Sequence, residues 1–378
     1  MAKRPAVDFI FFDAGGGHRA AATALEALIK QQDRPWDVRL VDLQDVLDEL
    51  DIFHKLTGLR MEDIYNTLLE KGWTLGSTQL VPVMHAIIRF YHSAQVKVLE
   101  RYWSTNTPDM VVSVVPNFDR SLWQALQRVN PSIPFVTILT DMADYPPHFW
   151  IERQKQTFIC GTEKAMQQVR EISPESSAHR VSGMILNPKF YDVTPINVAA
   201  ERAKLALDPQ RATGLVLFGG QGSEKMEEIL NLIDQSNFDI QLILICGKNE
   251  KLRRRLAERP TRIAKFVEGF TRDIPRYMQM ADFFIGKPGP GSISEAIHMG
   301  LPVIVEKNAW TLPQERFNAD WVVEHNVGES LKSFKQIVPA LNRMLAPGRL
   351  QQLQANARAI RNRAIFEVTD LLQTFLPK

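Results

Sequence analysis

Phe283-Phe284-Ile285-Gly286-Lys287-Pro288-Gly289-Pro290-Gly291-Ser292-Ile293-Ser294-Glu295-Ala296 is the stretch that decides the fold. A short apolar run breaks into a glycine and proline loop, and a helical pattern follows that Gly300-Leu301-Pro302 closes. Strand, Gly-rich turn, helix is the unit from which parallel sheets are wound. Ser292 and Glu295 have the spacing of a capping box, which would by itself account for both. The density of Gly and Pro exceeds what a capped helix requires. Flexible glycines beside rigid prolines fix a loop that can wrap a diphosphate at a helix N-terminus. Glu295, one turn in, is placed to accept hydrogen bonds from both hydroxyls of a ribose.

The same grammar runs in both directions from this stretch. Before the middle of the chain, strands are predicted near Val7–Asp13, Val38–Val41, Met110–Val115, Phe135–Leu139 and Thr157–Cys160. Beyond it they fall near Gly214–Phe218, Gln241–Cys246, Lys265–Gly269, Phe283–Gly286 and Val303–Val305. Helix-length segments separate them, and one Gly-rich turn opens each half. The fold class is therefore α/β, with two Rossmann-like doubly wound domains facing each other across a cleft. The expected domains are 1–190 and 191–378, joined through the proline-bearing linker Asn187–Arg211, with the last helix a candidate to pack back on the first domain.

A helical insertion is expected at about 43–108. Within it Met84, Ile87, Ile88 and Tyr91 share one helix face, and His85, Arg89 and His92 share another. An amphipathic core helix and a surface meeting an anionic membrane both fit that pattern.

Composition excludes several classes. The chain has 378 residues, 45 Lys+Arg against 43 Asp+Glu and a net charge of +2, so nothing in its charge points to nucleic acid. Two cysteines, Cys160 and Cys246, cannot build a disulfide framework or a zinc site, and both read as buried thiols of a reducing compartment. Asp8 and Asp13 interrupt the apolar start, which denies it a secretory core, and no run approaches the roughly 18 residues of a membrane span. The expected location is cytoplasmic, with any membrane contact peripheral.

Three more stretches carry chemistry. Asp13-Ala14-Gly15-Gly16-Gly17-His18-Arg19-Ala20 follows the first strand and opens a helix, so Gly17 can bring its amide close to a ligand. His18 lies where a strand's C-terminal end meets the ligand crevice of an α/β sheet, and an imidazole there can take a proton from an attacking hydroxyl. Gly15, Gly17 and Ala20 with Asp42 also match a dinucleotide fingerprint, which keeps a nicotinamide-dependent oxidoreductase as an alternative. In Phe218-Gly219-Gly220-Gln221-Gly222-Ser223, Gly220 can offer an amide to a phosphate. In Leu312-Pro313-Gln314-Glu315-Arg316-Phe317-Asn318, the polar side chains of Gln314, Glu315 and Asn318 suit the hydroxyls of a sugar.

Taken together, Gly15–Ala20, Lys287–Ser292 and Gln314-Glu315 resemble the monogalactosyldiacylglycerol synthase group, glycosyltransferases of family 28 with the GT-B fold. Thr140-Asp141, Cys160-Gly161-Thr162-Glu163, Cys246-Gly247-Lys248-Asn249 and Gly269-Phe270 agree with it in order. The resemblance implies an inverting transferase that needs no metal or other cofactor and moves a hexose from a UDP-sugar to a diacylglycerol-like lipid. It implies that the N-terminal domain takes the acceptor, with His18 as general base; Asp141 is the first substitute if the base lies elsewhere. It implies that the backbone around Phe270 and Ile274 meets the uracil. Gly289, Gly291 and Ser292 would meet the diphosphate, Glu295 the ribose, and Gln314 and Glu315 the hexose.

Three departures fall in or beside the acceptor half. Val115-Pro116 stands where the group often has His-Pro, Asn187-Pro188 where relatives carry Arg-Pro, and Tyr145-Pro146-Pro147-His148 differs from the usual stretch. A prenyl-linked or small-molecule acceptor is therefore the nearer alternative, and a sugar-nucleotide binder without catalysis the more distant one.

Overall fold

The computed structural model describes residues 4–13, 17–48, 88–146 and 148–376. No helix among them is long and apolar enough to cross a membrane. The chain divides into two compact units. The first runs to Pro188 and takes in Leu312–Gln314 and the segment from Asn362 onward; the second holds Lys189–Thr311 and Glu315–Arg361.

The first unit is wound on a parallel sheet of β1 (Ala6–Phe11), β2 (Asp37–Asp42), β3 (Met110–Ser113), β4 (Phe135–Ile138), β5 (Thr157–Cys160) and β6 (Ser177–Arg180), in the order β2-β1-β3-β4-β5-β6. β1, β3 and β4 are buried at every position, as strands covered on both faces must be. Ile10, Val41 and Val111 pack with Leu99 and Trp103 of the helix His92–Thr105 and with Leu122 and Leu126 of the helix Asp119–Val129. A second cluster joins Leu139, Trp150 and Phe158 to Met166 and Val169. Each such side chain contributes about 1.5–3 kcal/mol of burial. Asp8 is the exception inside β1. Its carboxylate is held by Arg39 Nε at 2.5 Å and by Trp103 Nε1 at 3.0 Å.

The C-terminal helix, Ala364–Phe375, buries Ala364, Ile365, Val368 and Leu372 as one stripe. It is tied to the first unit by Arg34 donating to the Thr369 carbonyl at 3.1 Å and by Trp36 Nε1 donating to Gln373 at 3.1 Å. Glu367 accepts the Ser182 amide at 2.6 Å.

The second unit repeats the plan with β7 (Ala212–Leu217), β8 (Ile240–Ile245), β9 (Lys265–Glu268), β10 (Phe283–Gly286), β11 (Val303–Glu306) and β12 (Gly328–Leu331), in the order β12-β11-β10-β7-β8-β9, all parallel. Its core gathers Leu242, Leu244, Phe283 and Ile285 with Ile229, Leu230, Ile337 and Leu341.

Four expectations change. β6 and β12 are strands that the sequence pattern does not disclose. The linker Asn187–Arg211, read only as proline-bearing and without a strand period, holds a short 3-10 turn, Pro188–Phe190, and the helix Val198–Lys204, capped by Asn197. Tyr91 is a turn residue between the helical residues 88–90 and the helix His92–Thr105. It forms the N-cap of His92–Thr105, and Met84, His85 and Ile87 lie outside the described residues. His92 is drawn inward to Gln124 at 2.8 Å, while Arg89 remains exposed, so the two do not act as one basic face.

Candidate functional site

In the first unit the chain leaves β1 toward β2 and later returns to β3 on the opposite side. That reversal opens a crevice at the C-terminal ends of β1 and β3, where open α/β sheets bind ligands. The helix Gly17–Gln31 starts there, and its second residue is His18. His18 Nδ1 lies 3.0 Å from Thr140 Oγ1, just past β4, and its ring stands edge-on to Trp150 with centroids 5.8 Å apart. Burial lowers the imidazole to about 4, and a backbone hydrogen bond to Val114 opposes the shift. His18 is half-buried, and this burial favours the neutral imidazole at neutral pH.

Asp141 is buried and accepts the Trp150 indole N–H at 2.9 Å. Trp150 therefore touches both candidate bases, a connection that its sequence position does not reveal. Gly17 is exposed with open space around its α-carbon, while Gly15 and Gly16 lie outside the described residues. Asp42 caps its own helix, Leu43–Leu47, by accepting the Gln44 amide at 3.0 Å. The dinucleotide reading loses its particular support there.

In the second unit the reversal falls between β7 and β10. The loops at their C-terminal ends are Gly219–Gly222 and Lys287–Gly289. Gly220 is exposed, and its carbonyl accepts the Lys248 amide at 2.8 Å. Gly222 has φ +67° and lies so close to the Cys246 carbonyl that a Cβ would come within 2.5 Å of its oxygen, so backbone conformation and packing both require glycine.

The helix Pro290–His298 begins with Gly289 as N-cap and Pro290 in the first turn, and no side chain caps it. Ser292 and Glu295 consequently do not form the capping box that their spacing suggests, because the helix starts earlier in the loop than that motif needs. The amides of Gly291 and Ser292 are left at the positive helix end, where an anion is stabilised. Glu295 follows one turn later. It is half-buried, makes no hydrogen bond or ion pair with a described residue, and is pushed up to about 7 by burial.

The loop Lys287–Gly289 is held from the segment after β11. Lys287 Nζ meets the buried Glu315 at 3.1 Å, and Asn318, wholly buried, donates from Nδ2 to the Pro288 carbonyl at 2.8 Å. Asn318 Oδ1 has no hydrogen-bond partner. Glu315 and Asn318 thus converge on the glycine–proline loop, and Asn318 acts there as its anchor. Gln314, in the 3-10 turn Pro313–Glu315, is half-buried. Phe270 follows β9 with 57% of its surface exposed, and Ile274 opens the helix Ile274–Gln279. Lys287 is the site residue that motif reading leaves without a role, although a single charge inside a Gly/Pro loop is itself a signal.

Residues 215–373 match the glycosyltransferase family 28 C-terminal domain. The chain is similar to the chloroplastic monogalactosyldiacylglycerol synthase of Spinacia oleracea, with 28% identity covering 94% of this chain and 70% of that protein. Among solved structures it resembles MurG of Acinetobacter baumannii, with TM-score 0.63, 13% identity and coverage of 98% of this chain and 100% of that one. It also resembles Anabaena HepE in complex with UDP, with TM-score 0.54, 14% identity and coverage of 97% and 99%. The fold is that of the GT-B glycosyltransferases. These similarities support a monogalactosyldiacylglycerol synthase-like glycosyltransferase of family 28, and with it a hexosyltransferase.

Proposed function

We propose that this chain transfers a hexose from a UDP-sugar to a diacylglycerol-like lipid, with inversion at the anomeric carbon and without a metal. The observation that carries the reading is the uncapped N-terminus of the helix Pro290–His298, followed one turn later by the unpartnered carboxylate of Glu295. An anion and a vicinal diol supply what those two features lack. The amides of Gly291 and Ser292 meet the diphosphate, Glu295 the ribose, the backbone near Phe270 and Ile274 the uracil, and Gln314 the hexose. Gly220 and Gly17 offer further amides.

In the transfer, the acceptor hydroxyl oxygen attacks the anomeric carbon as the bond from that carbon to the diphosphate oxygen breaks. The His18 imidazole, steadied by Thr140, takes the hydroxyl proton. UDP leaves with the electron pair, and its charge is met by helix amides and Lys287, the role that a divalent cation fills in other transferases. Asp141, which shares the neighbour Trp150 with His18, is the next candidate for its role.

Phe90, 81% exposed next to the exposed Arg89, supports peripheral contact with an anionic membrane at the cytoplasmic face.

The test is UDP release and lipid mass spectrometry with purified protein in EDTA. UDP-galactose and UDP-glucose are supplied in parallel, with dioleoylglycerol or a prenyl-phosphate-linked sugar as acceptor. A hexosyl-diacylglycerol formed in EDTA is the expected product. Product on the prenyl-linked acceptor alone would reassign the acceptor, and UDP binding without product from either would reduce the chain to a sugar-nucleotide binder.

A further inference from the structure

Asp144 is a fully buried carboxylate three residues past Asp141, and the transfer makes no use of it. Both of its oxygens are occupied by backbone donors. Oδ1 accepts the Trp150 amide at 2.7 Å, and Oδ2 accepts the His148 amide at 3.0 Å. Its own peptide groups are clamped by the buried Gln168 of the helix Glu163–Ile172. The Asp144 amide donates to Gln168 Oε1 at 2.8 Å, and Gln168 Nε2 donates to the Asp144 carbonyl at 2.9 Å.

Asp144 is therefore fastened to a helix on one side and closes the following loop on the other. The loop ends at Trp150, which is completely buried, donates its indole N–H to Asp141 at 2.9 Å and lies edge-on to His18.

We propose that Asp144 is a positioning residue that fixes both His18 and Asp141 through Trp150. The inference rests on the reading of those two residues as the groups serving the transfer. A carboxylate is needed because two N–H groups, the buried one of Trp150 and the part-buried one of His148, converge on one side chain. Asparagine would offer one acceptor oxygen and turn an NH2 against the second donor, leaving buried groups unpaired. The loop would then slacken, and Trp150 would cease to shield the imidazole.

The neighbours of each group are few. Among the described residues His18 faces Thr140, the Val114 backbone and Trp150, and no charged side chain among them contributes to its shift. Asp144 faces Gln168 and His148, and its charge is felt by Asp119 at the start of Asp119–Val129. Shielding of His18 is thus a matter of burial, and loosening Trp150 returns the imidazole toward its ordinary value of 6.5.

The experiment uses the full chain with 13C-labelled histidine, followed by NMR against pH, with the His18 resonance assigned from His18→Ala. The parent imidazole should titrate near 4, and Asp144→Asn should raise it by about one unit or more. In the same variant kcat should fall about 10- to 100-fold while the UDP-sugar KM stays within about twofold, since small misplacement of a catalytic group costs rate and not donor binding. Trp150→Phe leaves the Asp144 bonds in place and removes the indole donor. It should shift His18 and kcat in the same direction, and it carries the test where Asp144→Asn does not fold. A His18 titration and kcat equal to the parent in these variants would overturn the proposal. Full turnover by His18→Ala would instead overturn the assignment of the base, while the imidazole titration still reports whether Asp144 positions it.

Discussion

Glu295 offers the sharpest test of the donor half, because its carboxylate is unpartnered and pushed up to about 7 from an ordinary 4.5. If the ionised form accepts the ribose hydroxyls, donor affinity must follow ionisation of this group. About half of the protein carries the charge at pH 7 and about 3% at pH 5.5. Affinity for UDP-glucose or UDP-galactose should therefore weaken roughly thirtyfold between pH 8.5 and pH 5.5. These donors suit the assay, since their diphosphate diester does not titrate in that window.

Stability should move the opposite way. The folded protein holds a proton that the unfolded chain has already released between pH 4.5 and 7. Unliganded stability thus falls as pH rises through that window, by about 1–3 kcal/mol for a half-buried carboxylate. Glu295→Gln should abolish both dependences, being more stable than the parent at pH 8.5 and binding the donor more weakly. Isothermal calorimetry and thermal melts across pH read both effects. A parent whose donor affinity is flat from pH 5.5 to 8.5 would refute the ribose contact.

His18→Ala should lower kcat by about 10²–10⁴-fold and leave UDP-sugar affinity nearly unchanged, as stopped-time UDP release and calorimetry would show. Lys287→Met should destabilise the fold by about 1–3 kcal/mol, because it leaves the buried Glu315 carboxylate without its partner. The double variant with Glu315→Gln should recover most of that loss in urea melts, and a Lys287→Met protein as stable as the parent would show that the pair does not hold the loop. Arg89→Glu should weaken sedimentation with phosphatidylglycerol vesicles at low salt, and parent binding should itself fall as ionic strength rises; equal binding by both would remove Arg89 from the contact.

What the sequence made legible follows from what buries a residue. β8 reads Ile240-Gln241-Leu242-Ile243-Leu244-Ile245 and is buried throughout, so its apolar run could hardly be mistaken. β6, Ser177-Ala178-His179-Arg180, and β12, Gly328-Glu329-Ser330-Leu331, are edge strands with a neighbour on one side only and largely half-exposed side chains. Polar composition is tolerated there, and the apolar signal disappears. The glycine–proline loop is readable as a turn opening a helix, but its start is not, since Ser292 and Glu295 satisfy a capping pattern that Pro290 pre-empts. The Trp150 contacts are illegible for a different reason. They join residues separated in sequence, and no local pattern encodes that His18 and Asp141 share one aromatic neighbour.

Burial acts in opposite senses on the two groups that matter most, and this separates them kinetically. It holds His18 neutral down to about 4 and holds Glu295 half-protonated near 7. The parameter kcat/KM for donor reports groups of the free enzyme, whereas kcat reports those of the bound complex. In the complex Glu295 has met the ribose and is ionised, so its proton is already gone. The donor kcat/KM should therefore climb about tenfold per pH unit well below 7 and level off above it, while kcat is already flat above about pH 5, since the sole remaining limb belongs to His18. An imidazole of ordinary basicity would instead put the kcat limb near 6.5, on top of the donor limb. Initial-rate profiles from pH 4.5 to 9 distinguish the cases. Coincident limbs for kcat and kcat/KM would mean that one group governs both, and the division of labour between His18 and Glu295 would fall.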